Sequence, residues 1–325
     1  MRIIFHGENA ATFSHGFAEL LGQPADIQLL PDVLETEAEN AAYAQAQAIV
    51  GVKFDASLPL PADLRLFHVP GAGYDAVKLD LLPASAAVCN CFGHEQAIAE
   101  YVMSALLSRA IPLADADRRL REGDWAYWAG APERVHDEIA GRTIGLLGFG
   151  HIGKAIAARA KAFEMQVHVA NRSPVAASPL VDRAFTLDQL AEFLGSVDVV
   201  VVSVPLTEDT TGIIGQAALA AMRPDAVLVN VGRGPTVDEE ALYDALKSRR
   251  IGGAIIDTWY RYPQSDDASP LPSKLPFQDL SNVLMTPHMS GWTNGTIRRR
   301  QAVIAGNIKR RFSGEPLENV VRRGN

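Results

Sequence analysis

The sequence predicts an α/β protein of two domains, each built around a parallel sheet. The chain has 325 residues, which is long for a single hydrophobic core. Short apolar segments of strand length alternate with helical segments in both halves. A glycine-rich turn lies nearly halfway along the chain, between an apolar run and a helical segment. The residues before this turn must therefore form a separate domain.

The composition limits the function classes. The chain is 48% hydrophobic and 21% charged, as in an ordinary soluble globular protein. A net charge of -8 provides no overall attraction for nucleic acid or an anionic membrane, so we expect neither as a partner. Cys89 and Cys91 are too close for a good disulfide and too few for a metal cage, which predicts reduced thiols and no metal site. With no signal-peptide or membrane-span pattern, we expect a cytoplasmic protein.

The first domain is predicted to contain a small parallel sheet. Its strands are expected at residues 2–5, 48–52, 66–69 and 87–89, with helical stretches at 9–21 and 35–46. A strongly apolar helix at 95–109 and a charged helix at 111–122 follow. These two helices are expected to join one domain to the next.

The second domain is predicted to contain six strands. They are expected at residues 144–147, 167–170, 197–203, 226–230, 254–257 and 283–286, with helices at 188–194 and 238–248 among them. Strands and helices in this order fit a doubly wound, Rossmann-like dinucleotide-binding fold. The residues after about position 290 hold one long helix and a short tail, which must pack on one of the two domains.

The glycine-rich turn predicts a site for the phosphates of a dinucleotide. It reads Gly148-Phe149-Gly150-His151-Ile152-Gly153, after an apolar run at 143–147 and before a helical segment at 154–163. The three glycines suit a tight turn, close approach of the backbone to a pyrophosphate, and close packing of a helix whose N-terminus faces the phosphates.

The residues after the next strand indicate which dinucleotide is bound. An acid there would accept hydrogen bonds from the ribose of NAD and repel a 2'-phosphate, but this chain has Asn171-Arg172-Ser173. Arg172 can meet the phosphate and Ser173 can donate a hydrogen bond to it. The sequence therefore predicts NADP as the preferred cofactor, with NAD as the alternative if Arg172 points into solvent.

With these residues and five further segments, the chain resembles the D-isomer-specific 2-hydroxyacid dehydrogenase family over nearly its whole length. The segments are Val69-Pro70-Gly71-Ala72-Gly73, Val204-Pro205-Leu206-Thr207 with Thr210, Asn230-Val231-Gly232-Arg233-Gly234, Asp257-Thr258-Trp259, and Thr286-Pro287-His288 with Ser290-Gly291. They occur in the family's order and at nearly its spacing. The resemblance implies a substrate-binding domain of residues 1–101 and 289–325, a dinucleotide-binding domain of residues 102–288, an active site in the cleft between the domains, and a homodimer.

The resemblance assigns the chemistry to Arg233 and His288. The guanidinium of Arg233 can hold the carboxylate of a small 2-oxo acid with two parallel hydrogen bonds. Hydride transfer to a ketone leaves an alkoxide unless a proton arrives, and histidine suits that donation near neutral pH. His288 is therefore the expected proton donor in reduction and the base in oxidation. The expected enzyme is an NAD(P)-dependent 2-hydroxyacid dehydrogenase similar to glyoxylate or hydroxypyruvate reductases.

The resemblance also predicts the cofactor and substrate contacts. The cofactor is expected to contact Gly148, Gly150, His151, Ile152, Gly153, Asn171, Arg172, Ser173, Val204, Pro205, Thr210, Val231, Asp257 and Gly291. Asp257 resembles the acid that positions the nicotinamide amide. The substrate is expected to contact Ala72, Gly73, His94 and Arg233. The family often has asparagine where His94 stands, and an imidazole there would suit a polar or anionic substituent or cap the following helix.

Tyr262 departs from the family pattern. Relatives carry a glutamate at this position, where it hydrogen-bonds the catalytic imidazole and favours its charged form. Tyr262 can orient the ring but brings no negative charge near neutral pH, so we expect the pKa of His288 to be lower than in acid-bearing relatives. Alternative sources of the charge are Asp266, Asp267 and Glu95.

The same departure leaves two other functions open. One is a formate- or phosphonate-type dehydrogenase, because Tyr262 breaks the hydroxyacid pattern. The other is a non-catalytic, dinucleotide-sensing protein on the same fold, which the retention of Arg233 and His288 disfavours.

Overall fold

The computed structural model describes residues 1–130, 132–263 and 270–325. The chain forms two compact units, Met1–His94 with Trp292–Asn325, and Glu95–Gly291. The strands, in chain order, are β1 Arg2–His6, β2 Asp26–Leu30, β3 Ala48–Gly51, β4 Leu66–His68, β5 Ala87–Cys89, β6 Thr143–Leu147, β7 Gln166–Ala170, β8 Arg183–Phe185, β9 Val199–Val202, β10 Val227–Asn230, β11 Gly253–Ile256, β12 Val283–Met285 and β13 Val320–Arg322. The α-helices are α1 Glu8–Ala11, α2 Phe17–Leu21, α3 Glu37–Ala44, α4 Glu95–Ala110, α5 Leu113–Arg121, α6 His151–Ala162, α7 Leu190–Gly195, α8 Gln216–Ala221, α9 Glu239–Lys247 and α10 Asn294–Ser313.

The first unit is built on a sheet with the strand order β13-β5-β4-β3-β1-β2. The pairs from β5 to β2 are parallel, as predicted, whereas β13 runs antiparallel to β5. The prediction missed the two edge strands, β2 and β13. Both are partly exposed, so neither shows the continuous apolar run that marks a buried parallel strand.

The helical stretch predicted at 9–21 is two short helices instead. α1 ends at Ala11, and Gly16, directly before α2, has a φ of 69°, a left-handed conformation that a continuous helix does not contain. Phe13 and Phe17 nevertheless pack in the core of the first unit, beside Ile304 and Ile308 of α10. The long C-terminal helix therefore belongs to the first unit.

The second unit contains a parallel sheet with the strand order β12-β11-β10-β9-β6-β7-β8. It has seven strands, so the predicted number of six was wrong. The additional strand, β8, has three residues at the sheet edge, of which Arg183 and Ala184 are exposed. The order reverses between β6 and β9, and the crevice at the carboxyl ends of two such strands is where doubly wound sheets bind ligands.

Helix α4 lies wholly within the second unit, although the predicted domain limit at residue 102 divides it. Its buried side chains include Ile98, Val102 and Leu106, which share a hydrophobic core with Ile156 and Ala157 of α6. Because this apolar face packs on α6, the helix cannot be split between units. At the other end, the second unit extends to Gly291 instead of residue 288.

In the part of the chain that the structure describes, no single helix is long and apolar enough to cross a membrane. α4 and α5 meet the length and composition requirement only as a pair with a 50° bend. The described residues contain no group of three or more histidine, cysteine or acidic side chains that could hold a metal ion.

Candidate active site

The glycine-rich turn joins β6 to α6, and a steric reason requires glycine at two of its three glycine positions. Gly148 has a φ of 98°, which disfavours any side chain. A Cβ atom on Gly153 would lie 2.4 Å from the carbonyl oxygen of Gly148, so only glycine lets α6 approach the strand this closely. A Cβ atom on Gly150 would instead have no heavy atom within 4 Å, so this position opens onto free space. The N-terminus of α6 begins directly afterwards, at His151.

Asn171 connects this turn with the residues that follow β7. Its Oδ1 accepts a hydrogen bond from the Phe149 backbone N–H at 3.3 Å, and its Nδ2 donates to the Ser173 carbonyl oxygen at 2.9 Å. The amide is thus held at both ends without adding a charge. Arg172 and Ser173 are exposed beside it.

The loops after β9 and β10 carry the next predicted cofactor residues. Thr210 Oγ1 donates to the Pro205 carbonyl oxygen at 2.6 Å and so closes the loop that begins at Val204. A Cβ atom on Gly148 would lie 3.0 Å from Val204 Cγ1, so this loop faces the glycine turn. Val231, directly after β10, is buried.

Arg233 is placed by a turn that Asn230 organises. Asn230 Oδ1 accepts from the Gly232 backbone N–H, and Asn230 Nδ2 donates to the Arg233 carbonyl oxygen, both at 3.1 Å. A Cβ atom on Gly234 would lie 2.2 Å from the Trp259 carbonyl oxygen, so the chain after Arg233 must pass close to β11's C-terminal end. The sequence motif marked Arg233 but did not indicate that Asn230 shapes its turn.

Asp257 is fully buried and holds the loop that carries His288. Its Oδ1 accepts from the Thr286 hydroxyl at 2.6 Å and the Met289 backbone N–H at 2.9 Å, while its Oδ2 accepts from the Ser290 backbone N–H at 3.0 Å. These donors lie on both sides of His288. Asp257 therefore has a structural role that the sequence did not predict, and its predicted contact with the nicotinamide stays a prediction.

His288 has a φ of 56°, which is unusual for a residue with a side chain. Its Nδ1 lies 3.0 Å from the Tyr262 hydroxyl, which also accepts the Trp259 backbone N–H at 3.1 Å. The structure thus brings Tyr262 to the imidazole, at the position where the family resemblance implies an acid. Gly291 lies further along the same loop, before α10.

The charges around His288 act on its pKa in opposite directions. Partial loss of hydration lowers this pKa below its ordinary value; the Asp257 carboxylate raises it, and the Arg233 guanidinium lowers it. Loss of hydration also raises the pKa of Tyr262, so this phenol stays neutral near neutral pH. Asp266 and Asp267, two of the suggested charge sources, lie outside the described residues. Glu95, the third, is the first residue of α4, and its role as a source of negative charge for His288 stays a prediction.

The predicted substrate residues of the first unit lie after β4 and β5. The Ala72 carbonyl oxygen accepts from Asn90 Nδ2 at 2.7 Å, and the Gly71 carbonyl oxygen accepts from the Cys91 backbone N–H at 3.0 Å. These bonds fix the loop that contains Gly73 to the chain after β5. His94 is half-buried at the end of the same segment. The contacts predicted for these residues stay predictions.

Comparison with known proteins identifies the class. The family model described as "D-isomer specific 2-hydroxyacid dehydrogenase, NAD binding domain" matches residues 103–290. The chain therefore belongs to the D-isomer-specific 2-hydroxyacid dehydrogenases, and its second unit contains the family's NAD-binding domain. This confirms the predicted family, the two α/β units with parallel sheets and the nicotinamide cofactor.

Several relatives bear names that are more specific. Hydroxyphenylpyruvate reductase from Plectranthus scutellarioides is 32% identical over 220 residues, which are 68% of this chain and 66% of that protein. Glyoxylate/hydroxypyruvate reductase B from Salmonella heidelberg is 33% identical over 300 residues, 88% of each protein. One similar crystal structure is that of the NADPH-dependent glyoxylate/hydroxypyruvate reductase from Sinorhizobium meliloti, in complex with NADP and malonate. The two sequences are 27% identical, and the structures have a TM-score of 0.78 over 99% of this chain and 98% of that one.

Proposed function

We propose that this protein is an NADP-preferring reductase of small 2-oxo acids, of the glyoxylate or hydroxypyruvate type. The observation that carries the proposal is the placement of His288, on a loop that Asp257 holds by three hydrogen bonds and with Nδ1 beside the Tyr262 hydroxyl, at the carboxyl edge of a sheet with an intact dinucleotide turn. Arg233 would bind the substrate carboxylate, and His288 would exchange the proton. The Salmonella and Sinorhizobium relatives, named glyoxylate/hydroxypyruvate reductases, support the same substrate class.

The glycine turn fits the pyrophosphate of such a cofactor. The open space at Gly150 and the N-terminus of α6 offer room and backbone N–H donors for an anion. Val204, Pro205, Thr210 and Val231 would line the adjoining part of the site. A bound NADPH supplies the hydride for the carbonyl carbon.

The preference for NADP rests on the neutral amide of Asn171. Hydrogen bonds hold this amide at both ends, and because residue 171 is an asparagine it brings no negative charge that would oppose a 2'-phosphate. The exposed guanidinium of Arg172 and the hydroxyl of Ser173 would bind that phosphate. The Sinorhizobium relative, described as NADPH-dependent, is consistent with this preference.

The chain's own groups account for the proton. In reduction, the carbonyl oxygen gains negative charge, and the protonated ring of His288 donates to it from Nε2, because Nδ1 faces the Tyr262 hydroxyl. The ring stays in place during this transfer because Tyr262 is itself fixed by the Trp259 N–H. In oxidation, neutral His288 accepts the proton.

A homodimer is the proposed assembly. Several large apolar side chains after α4 are exposed, among them Leu113 (72%), Trp125 (65%), Trp128 (61%) and Val135 (84%). Such a concentration of exposed apolar side chains is typical of a surface that another chain covers. Sedimentation equilibrium should give twice the mass of the chain; a monomer at micromolar concentration would contradict this assignment.

The function is tested by coenzyme oxidation with a panel of 2-oxo acids, including glyoxylate and hydroxypyruvate. We expect turnover that His288→Gln lowers by about 10²- to 10⁴-fold, with the dissociation constant of NADPH little changed. Turnover on formate or phosphite instead would favour the alternative dehydrogenase types. Tight coenzyme binding without turnover on any substrate would favour a sensor.

A further inference from the structure

Two hydroxyl groups connect helix α4 with the carboxylate of Asp257. The Tyr101 hydroxyl lies 2.7 Å from Thr286 Oγ1, and Thr286 Oγ1 lies 2.6 Å from Asp257 Oδ1. A carboxylate oxygen accepts, so the single proton of Thr286 is donated to Asp257. Tyr101 must then donate to Thr286. The direction of the chain is thereby defined, from Tyr101 through Thr286 to Asp257.

This chain ends at the loop that carries His288. Thr286 lies two residues before the imidazole, and Met289, whose N–H also binds Asp257 Oδ1, lies directly after it. The left-handed backbone of His288 is unfavourable for a residue with a side chain, so neighbouring contacts must hold it. The bonds to Asp257 provide those contacts on both sides.

Burial strengthens the hydrogen bonds from Tyr101 through Thr286 to Asp257. Asp257 is fully buried and Tyr101 is half-buried, and a hydrogen bond away from water is stronger than one at the surface. Burial raises the pKa of Tyr101 to about 12. Its hydroxyl therefore remains a proton donor over the whole range in which His288 titrates.

We propose that Tyr101 is a positioning residue for His288. Its hydroxyl sets the rotamer of Thr286 and, through Thr286 and Asp257, the place of the imidazole. Tyr101 acts on the imidazole through these two residues and not by direct contact. Of the tests below, only those that measure kcat rest on the proposed function. Because catalysis tolerates little misplacement of a reacting group, loss of this single hydroxyl should lower the rate.

Tyr101→Phe tests the hydroxyl while it keeps the ring. We expect kcat to fall by about 3- to 10-fold, with the NADPH dissociation constant within about twofold. Tyr260→Phe is the matched control, because Tyr260 donates to the Val237 carbonyl oxygen at 3.1 Å and has no bond to Thr286. The control should keep kcat within about twofold of the parent.

A double-mutant cycle separates positioning from a general loss of stability. If Tyr101 acts through Thr286, Tyr101→Phe should cost little more in a Thr286→Val background. Fully additive losses in kcat would overturn the proposal.

The NMR signal of the His288 imidazole ring provides a measurement that needs no turnover. In the coenzyme-free protein, this signal is assigned by its loss in His288→Gln. Tyr101→Phe should shift or broaden it, and Tyr260→Phe should leave it unchanged. If Tyr101→Phe alters the signal but the protein turns over no substrate, the positioning role stands and the proposed reductase function is rejected. An unaltered signal would overturn the positioning role, whatever the activity.

Discussion

The Tyr262 hydroxyl and Nδ1 of His288 lie 3.0 Å apart, and the same hydroxyl accepts the Trp259 backbone N–H. The phenol can donate to a neutral imidazole or accept from a protonated one, because a hydroxyl does both. It therefore orients the ring in either protonation state. It stabilises the charged state less than a carboxylate would, since its raised pKa keeps it neutral.

The first prediction concerns the pH profile of reduction. The donor is protonated His288, so kcat/KM should be constant at low pH and fall as the pH rises through a pKa below the ordinary 6.5. Tyr262→Glu adds a negative charge beside the ring, which should raise this pKa and move the fall to higher pH.

Tyr262→Phe is the control for that shift, because it removes the hydrogen bond without adding charge. Its profile should not move to higher pH. Coincident profiles of the parent and Tyr262→Glu would show that the residue at this position does not govern the titration of His288.

The second prediction concerns the carboxylate site. Arg233→Lys keeps the positive charge but loses the two parallel donors of the guanidinium. With charge-assisted hydrogen bonds contributing about 1.5–3 kcal/mol each, kcat/KM should fall on the order of 10²-fold. Initial rates over a range of glyoxylate concentrations measure this loss. A variant with unchanged kcat/KM would exclude two-point binding by Arg233.

The third prediction concerns coenzyme choice. Arg172→Ala should lower kcat/KM for NADPH at least about tenfold and leave the value for NADH nearly unchanged, because only NADPH carries the 2'-phosphate. Arg183→Ala is the matched control, since that exposed guanidinium on β8 pairs with Glu192. Equal kcat/KM values for the two coenzymes in the parent would end the claim of NADP preference.

The fourth prediction concerns the glycine turn. Gly153→Ala would put a Cβ atom 2.4 Å from the Gly148 carbonyl oxygen, so α6 would have to move away from the strand. We expect a loss of about 1–3 kcal/mol in unfolding free energy and weaker binding of NADPH.

Gly195→Ala is the control for this change. Its Cβ would lie 3.5 Å from the Ala221 carbonyl oxygen, an ordinary contact, so stability and binding should be retained. Chemical denaturation and fluorescence titration measure both properties. Parental values for Gly153→Ala would refute the steric argument.

The secondary structure that could be predicted from sequence is the structure that the chain encodes locally. β6, β9 and β10 are continuous apolar runs because both faces of a parallel sheet are covered. The edge strands β2, β8 and β13 escaped prediction, because their pairing depends on a neighbouring strand and their partly exposed residues show no such run.

The candidate site likewise contains features that the sequence predicts and features that only the tertiary structure shows. The sequence by itself determined the family, the glycine turn and the motif positions of Arg233, His288 and Tyr262, because those depend on residue types at defined spacings. Only the tertiary structure decided that Asp257 holds the His288 loop and that Tyr101 donates to Thr286. Tyr101 and Thr286 are separated by 185 positions in the chain. No local pattern encodes such a contact, since it exists only where the packing of α4 against the second sheet brings two hydroxyl groups within hydrogen-bonding distance.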